Sequence, residues 1–472
     1  MNVMSTSLAR DNTDDEQLAA KYACRGPRYT SYPTAPQFSD SFPLQQYLQA
    51  QKNQTQPNRE PLSLYVHVPF CNDICYYCAC NKVVTREPEV ARKYLDRLRL
   101  EVEMQSALIG KDRPITQMHW GGGTPTYLSD AELTELMHHL ASHFNLSDKD
   151  YREYSVEIDP RTVKDSSIAL LKGLGFNRIS LGVQDFDPLV QKTINRIQPY
   201  QQVAELVALI RRYNFRSLSF DLIYGLPHQD RTTMEETLGK VVTLRPDRVS
   251  CYNYAHLPER FSSQRSMDRL TLPSPEEKIS MQVMITNYFK DAGYVHIGMD
   301  HYVLPDDELA LAQAEGRLQR NFQGYSLRMA DDLLGLGVSA ISQVGDYYLQ
   351  NERTLPEYYQ QLDQGSLPIA RGFQISEEDK LRRHIIMSLI SELELDLTEC
   401  NRRFDIDFEL RFSGELNQLK QLEQDGLLTL QPGRIAITER GRPFLRNICM
   451  PFDAYLGNVN GKGPSPGFSA TI

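Results

Sequence analysis

The sequence has 472 residues, a net charge of −10 and 41% hydrophobic residues. This length and hydrophobic fraction predict one large folded domain with smaller additions. The acidic balance argues against nonspecific binding to nucleic acid or to a membrane surface. We find no apolar run of about 18 residues that could cross a membrane and no apolar core of a signal peptide. We therefore expect a cytoplasmic protein whose cysteines are thiols or ligands.

The N-terminal residues 1–60 are polar and contain a turn-rich stretch, Gly26–Pro36. Its prolines and tyrosines predict an irregular segment that lies against another part of the chain. We expect residues 1–60 to form an extension over the mouth of the domain that follows.

From residue 61 to about residue 300, short β-rich runs alternate with helical patterns. This alternation predicts the α/β class with a parallel sheet, here a partial (β/α)6 barrel. Each β-rich run ends in polar or glycine residues, and in such barrels the carboxyl ends of the strands carry the chemistry. The predicted strands lie at 62–69, 117–122, 153–160, 178–185, 217–227 and 248–258, and the main helices at 87–109, 129–144, 162–175, 231–243 and 274–292.

The last part of the chain changes character. Residues 301–375 are predicted to extend the barrel and connect it to a mainly helical domain at 376–472. That domain has helical patterns at 376–396 and 408–425, followed by a predicted hairpin around Pro432–Gly433. The order resembles a winged helix, but its acidic balance lacks the positive surface that DNA binding needs. The glycine-rich tail from residue 457 is predicted to be disordered.

Three cysteines directly follow the first predicted strand. Cys71, Cys75 and Cys78 have the spacing C-x3-C-x2-C. Three thiolates in one loop can hold three irons of a cubane cluster and leave the fourth iron open to a small molecule. A structural zinc site would need a second ligand pair, and a redox CxxC site needs only two cysteines. The spacing therefore favours an open [4Fe–4S] cluster, with Cys80 left as a thiol outside the cluster.

A second motif, Gly121-Gly122-Gly123-Thr124-Pro125, follows the second predicted strand. It lacks the lysine of a phosphate-binding P-loop, so we interpret it as a backbone edge for the amino group of a ligand. Polar residues recur at the later strand ends. A carboxylate there can bind ribose hydroxyls, and an arginine can pair with a carboxylate. The polar residues are Glu157, Gln184, Arg196 and Asp221, and the small residue Ala255 occupies the corresponding position after the last predicted strand.

Many stretches of the chain resemble the oxygen-independent coproporphyrinogen-III oxidases of the radical S-adenosylmethionine (SAM) superfamily. The resemblance runs from Lys21 to Leu456. Its motifs include GPRYTSYPTA, LYVHVPFC, CYYCACNKVVTR, HWGGGTPTYL, VEIDPR, GVQDF, FDLIYGLP, NYAHLP, GMDHY, RNFQGY and GLGVSAIS. In this family the cysteine motif is extended to C-x3-C-x2-C-x-C, a pattern that Cys80 completes here. This sequence departs from the family at Tyr77 and Ala79, where Phe and Gly are common.

The resemblance implies which residues bind the cluster and which bind SAM. Cys71, Cys75 and Cys78 would ligate the [4Fe–4S] cluster. One SAM would be contacted by Tyr65, Gly122, Glu157 and Ile341. A second SAM would be contacted by Tyr77, Gly123, Thr124, Gln184, Arg196, Asp221 and Ala255.

The resemblance also implies a reaction. A 5′-deoxyadenosyl radical would take a hydrogen atom from each of two propionates of coproporphyrinogen III, and loss of CO2 and an electron would give protoporphyrinogen IX in haem biosynthesis. The substrate carries four carboxylates, so we expect arginines in its pocket, with Arg28 and Arg196 as candidates. Further expectations are a catalytic role for Cys80, a low-potential electron donor such as flavodoxin or ferredoxin, and a monomer.

Two other functions remain as alternatives. The first is a haem-binding or haem-trafficking relative with the same fold, which typically lacks the cysteine equivalent to Cys80 and the long N-terminal segment. Both features are present here, which favours the oxidase. The second is a radical-SAM enzyme that acts on another tetrapyrrole. The cysteine motif alone would allow it, but the motifs outside the cysteines argue against it.

Overall fold

The structure is a computed structural model that describes residues 13–53, 60–267, 272–327, 329–456 and 468–471. The strands are β1 (Leu62–Val68), β2 (Phe70–Cys71), β3 (Val83–Val84), β4 (Pro114–Gly122), β5 (Asn145–Leu146), β6 (Glu153–Ile158), β7 (Arg178–Gln184), β8 (Ser217–Tyr224), β9 (Arg248–Asn253), β10 (Val295–Gly298), β11 (His301–Val303), β12 (Leu318–Asn321), β13 (Gly324–Leu327), β14 (Asp332–Leu336), β15 (Ile341–Val344), β16 (Tyr347–Asn351), β17 (Ile369–Gln374), β18 (Glu394–Asp396), β19 (Leu428–Gln431) and β20 (Arg434–Ile437). The α-helices are α1 (Thr13–Tyr22), α2 (Leu44–Lys52), α3 (Pro88–Ile109), α4 (Asp130–His143), α5 (Asp165–Gly173), α6 (Pro188–Thr193), α7 (Tyr200–Arg212), α8 (Arg231–Leu244), α9 (Pro275–Asp291), α10 (Glu308–Ala314), α11 (Leu355–Asp363), α12 (Glu377–Ser391), α13 (Leu397–Phe404), α14 (Phe408–Arg411), α15 (Ser413–Gln424) and α16 (Leu445–Cys449).

The six predicted barrel strands form one parallel sheet in the order β1-β4-β6-β7-β8-β9, and helices follow them as predicted. Their apolar side chains, such as Val66, Leu181 and Phe220, are fully buried. A capping box at Ser129 and Glu132 fixes the start of α4. The predicted partial (β/α)6 barrel is therefore confirmed.

The sheet continues beyond both ends of this parallel set. β14 pairs with β1 in parallel, and β11 pairs with β9 in antiparallel orientation. The sequence identified 332–342 only as a glycine-rich stretch of the connector. β14 forms there because four of its five residues are buried beside β1. A run this short gives no clear periodicity, so its strand state depends on the partner.

The C-terminal part contains the predicted hairpin, formed by β19 and β20 around Pro432–Gly433, and β18 adds a third strand. The helical pattern predicted over 408–425 is present, but as two helices instead of one. The chain forms α14 and α15 there, and the fully buried Phe412 lies between them. α13 was also not predicted. Among the described residues, no helix combines the length and apolarity needed to cross a membrane.

The N-terminal segment connects both parts of the molecule. The stretch Gly26–Pro36 is largely irregular, as predicted, but the flanking helices α1 and α2 were hidden by their polar composition. Tyr47 of α2 is buried against the barrel, whereas Tyr29 and Tyr32 are buried in the core of the C-terminal part. The domain boundaries at 60, 300 and 375 stay a prediction.

The C-terminal tail adds a short anchor to the N-terminal segment. Ala470 forms a β-bridge with Arg25, and the guanidinium of Arg446 donates hydrogen bonds to carbonyl oxygens of both segments. Most of the tail that we predicted to be disordered, residues 457–467 and 472, lies outside the described residues.

Glu101 is a fully buried carboxyl group on α3 and gives a prediction about pH. It accepts hydrogen bonds from Tyr358 Oη (2.6 Å), Asn351 Nδ2 (2.6 Å) and the Gly337 amide (2.7 Å). Burial nevertheless raises its pKa to about 7. Because the folded state then binds the proton more tightly than the unfolded chain, the stabilisation is present below about pH 4.5 and is lost as the pH rises through 7. We expect the free energy of unfolding to fall by about 2 kcal/mol between pH 5 and 7 from this group.

The measurement is urea unfolding of the wild type and Glu101→Gln at both pH values. The glutamine variant should be less stable overall, because its amide NH2 group would face the hydrogen-bond donors that the carboxyl group accepts from. Its free energy of unfolding should nevertheless change less between pH 5 and 7 than that of the wild type. An equal pH difference in both proteins would contradict the role of Glu101.

Candidate functional site

A cavity of about 440 Å³ opens at the carboxyl ends of the barrel strands and continues into the barrel interior. Most of the residues that the sequence predicted for the site line this cavity, although they come from separate strand ends. These are Cys71, Cys75, Tyr77, Cys78, Cys80, Gly122, Gly123, Thr124, Glu157, Gln184, Arg196 and Asp221.

The cysteine loop (71–80) and the residues that lead into it are held against their neighbours by backbone hydrogen bonds. The Gly123 amide donates to Val68 O and the Thr124 amide to Phe70 O, both at 2.8 Å. The Tyr76 amide donates to Ile194 O at 3.0 Å on the opposite side. The loop is therefore fixed between the glycine motif and the segment after α6.

The three cysteine thiols fit the predicted cluster. All three line the same cavity, and Cys71 Sγ also lies 3.7 Å from Thr124 Oγ1. Cys75 Sγ accepts hydrogen bonds from the guanidinium groups of Arg196 (3.5 Å) and Arg161 (3.6 Å). Three thiol ligands that face an open cavity are the donor set of a cubane cluster with one free iron position.

Two residues of the glycine motif lie too close to neighbouring atoms to carry a side chain. Gly122 has a φ of +113°, and a Cβ atom there would lie 2.5 Å from the His67 ring. At Gly123 a Cβ atom would lie 2.6 Å from the backbone of Pro69 and Phe70. Glycine is therefore required at both positions to let the motif pass close to β1 and to the residues that lead into the cysteine loop.

Glu157, at the end of β6, faces the cavity as a carboxylate. Its Oε2 accepts a hydrogen bond from the Gly122 amide (3.2 Å), and its Oε1 lies 3.1 Å from His119 Nε2. Burial alone would raise the pKa of Glu157, but these bonds and the His119 charge outweigh it and lower the pKa. The site thus keeps an ionised acceptor for hydroxyl or ammonium groups.

Asp221, at β8, is a second cavity carboxyl with a different environment. It accepts a hydrogen bond from Ser180 Oγ at 2.8 Å. Burial, together with the negative charge of Glu157, raises the pKa of Asp221 to about 6. Gln184, on neighbouring β7, has a φ of +65° at a bulge where β7 pairs with β8. The bulge marks the cavity end of β7.

Four predicted residues are not among those that line the cavity. The ring of Tyr65 stacks on that of His119, a cavity residue, with centroids 5.9 Å apart. Ala255 accepts a hydrogen bond from Gln264, and Ile341 packs in a small apolar cluster on β15. Arg28 pairs with Asp300 at 2.7 Å, and its guanidinium covers the ring of Tyr252, a cavity residue.

Cys80 is exposed, and its neighbouring thiol lowers the pKa of Cys78 to about 6. Ala79 is not among the residues with positive φ, so the departure from glycine at this position causes no backbone strain. The loop can therefore place Cys80 beside the cluster ligands without a glycine.

Sequence reasoning missed three residues of the site. Asp159 and Arg161 lie in the VEIDPR motif directly after β6, and His119 precedes the glycine motif on β4. Of this motif, the sequence prediction includes only Glu157. The position of Asp159 and Arg161 at a strand end was the signal available in the sequence.

Comparisons with known proteins cover nearly the whole chain. The radical SAM superfamily model matches residues 65–241, and the HemN C-terminal domain model matches residues 375–444. The chain is 48% identical to the oxygen-independent coproporphyrinogen III oxidase of Pseudomonas aeruginosa over 94% of this chain and 97% of that protein. It is 41% identical to the Helicobacter pylori protein of the same name, over 98% and 100%. The solved structure of the Escherichia coli coproporphyrinogen III oxidase, a radical SAM enzyme, has 45% identity and a TM-score of 0.87, with 91% of this chain and 98% of that chain covered.

Proposed function

Because this chain belongs to the family of oxygen-independent coproporphyrinogen III oxidases, we propose that it converts two propionates of coproporphyrinogen III to vinyl groups by oxidative decarboxylation. The observation that carries the proposal is the set of three cysteine thiols that face one cavity together with Glu157 and Asp221. The reaction would supply protoporphyrinogen IX for haem biosynthesis.

Different residues around the cavity would bind the cluster and SAM. Cys71, Cys75 and Cys78 would hold a [4Fe–4S] cluster, and the Gly122 segment and Glu157 would bind the polar groups of SAM. When bound, these groups supply one-electron chemistry that generates a carbon-centred radical. The protein's own contribution is to position the substrate, exclude water and place charge at fixed points.

We further propose a second SAM at Thr124, Gln184, Arg196 and Asp221, in line with the resemblance described above. All four line the same cavity as the cysteines, which supports a ligand that spans the strand ends. The chemistry also needs an external electron, so we propose a low-potential donor such as flavodoxin or ferredoxin, in the reducing cytosol.

An anaerobic assay tests this function. The reconstituted enzyme is mixed with dithionite, SAM and coproporphyrinogen III, and protoporphyrin IX and 5′-deoxyadenosine are followed by chromatography. Formation of both products supports the oxidase. 5′-Deoxyadenosine without protoporphyrin would point to another substrate, and tight stoichiometric haem binding without turnover would support the haem-trafficking alternative.

Arg28 gives a prediction about substrate binding. Its pairing with Asp300 and its stacking on Tyr252 place a cation of the N-terminal segment beside the cavity. We expect Arg28→Ala to raise KM for coproporphyrinogen III about tenfold or more, since a charged hydrogen bond to a propionate would be lost.

Arg28→Lys should recover part of this loss, because it keeps the charge. Arg317→Ala is the control, since Arg317 is an exposed arginine that pairs with neighbouring Glu315. An unchanged KM in Arg28→Ala would remove Arg28 from the substrate site.

A further inference from the structure

Cys75 differs from the other two proposed cluster ligands in its surroundings. Its sulfur is contacted by two arginine side chains, through Arg196 Nη1 at 3.5 Å and Arg161 Nη2 at 3.6 Å. Cys75 is buried, with 7% of its surface exposed. The two guanidinium groups therefore act on this sulfur with little screening by water.

Asp159 holds both arginines in place. Its Oδ2 accepts from Arg161 Nη2 at 2.6 Å and from Arg196 Nη1 at 3.1 Å, while Oδ1 accepts from Arg161 Nε at 3.0 Å. The two cations and one anion leave one positive charge beside Cys75. This excess positive charge would stabilise negative charge on a group bound to the sulfur.

Arg161 also fixes the cysteine loop mechanically. Its Nη1 donates to Asn195 O at 3.4 Å, and Asn195 Nδ2 donates to Ile74 O at 2.7 Å in the cysteine loop. Arg161 thus links the end of β6, the segment after α6 and the cysteine loop. Arg196 has a proposed SAM role already, whereas nothing so far assigns a function to Arg161.

We propose that Arg161 is a positioning residue that raises the reduction potential of the cluster through its N–H···S contact with Cys75. Reduction adds one electron to the cluster, and hydrogen bonds to ligand sulfurs stabilise that added charge. Asp159 opposes this effect with its own negative charge while it orients the guanidinium. The inference rests on the proposed cluster but not on the identity of the substrate.

The test is an EPR-monitored redox titration of the reconstituted enzyme without SAM or substrate, together with iron and sulfide analysis. For Arg161→Gln we expect about a tenfold lower equilibrium constant for reduction, a potential ~59 mV more negative. Arg161→Lys should lie between this variant and the wild type. Arg86→Gln is the matched control, since Arg86 is an exposed arginine near the same loop and its guanidinium pairs with the carboxylate of Asp73.

Asp159→Asn separates electrostatics from a merely structural role. Asparagine keeps an oxygen acceptor for the guanidinium groups but removes the negative charge, so its potential should shift in the opposite direction, to a less negative value. Arg161→Gln could fail to bind a cluster. In that case, a reduction potential above the wild-type value in Asp159→Asn and below it in Arg161→Lys still supports the proposal. The proposal would be overturned if the reduction potentials did not change, or if the Asp159 and Arg161 variants shifted the potential in the same direction. A wild-type chain without a [4Fe–4S] cluster would overturn the proposed function as well.

Discussion

Cys75→Ser is expected to lose the cluster and at least about a thousandfold of the activity. The substitution removes one of three thiol ligands and also leaves the guanidinium groups of Arg161 and Arg196 without the sulfur that they contact. Iron and sulfide should fall to near zero after anaerobic reconstitution, and neither protoporphyrin IX nor 5′-deoxyadenosine should form.

Cys80→Ser is the matched control for this prediction. Cys80 lies on the same loop and borders the same cavity, but it is exposed and is not among the three proposed ligands. The Cys80 variant should keep its iron and sulfide even if turnover falls. Loss of the cluster in Cys80→Ser, with retention in Cys75→Ser, would show that the ligand set is wrong.

Gly123→Ala is expected to reduce turnover by about a hundredfold, although it adds only one methyl group. The new Cβ would lie 2.6 Å from the backbone of Pro69 and Phe70, directly before Cys71. Backbone atoms cannot move aside as a flexible side chain can, so the cysteine loop must shift. A displacement of about 1 Å at reacting groups costs a factor of this size, which the anaerobic assay and SAM binding by equilibrium dialysis would measure.

Gly173→Ala is the control for the added methyl group. Gly173 ends α5, and a Cβ there would meet no atom within 4 Å. This variant should keep full activity and equal or greater stability, because alanine favours a helix over glycine by about 1 kcal/mol. Wild-type turnover and SAM affinity in Gly123→Ala would contradict the close packing between the glycine motif and the cysteine loop.

Several features of this protein were predictable because their signals are local. The spacing of Cys71, Cys75 and Cys78 defines a cluster loop within eight residues, and the alternation of apolar runs with helical patterns defines the barrel. Strand ends of a parallel sheet meet on one edge, so Glu157 and Asp221 could be placed near the cysteines without coordinates. Both residues do line the cavity.

Other features required the tertiary structure because they depend on residues far apart in sequence. Arg161 and Arg196 reach Cys75 across 86 and 121 residues, and no pattern in the sequence shows which way a guanidinium points. β14 likewise becomes a barrel strand only through its pairing with β1. By itself the sequence determined the elements, the cluster loop and the strand ends that bear the site, since these follow from spacing and periodicity. The tertiary structure alone decided which charges surround each sulfur, since that depends on how side chains from separate elements pack.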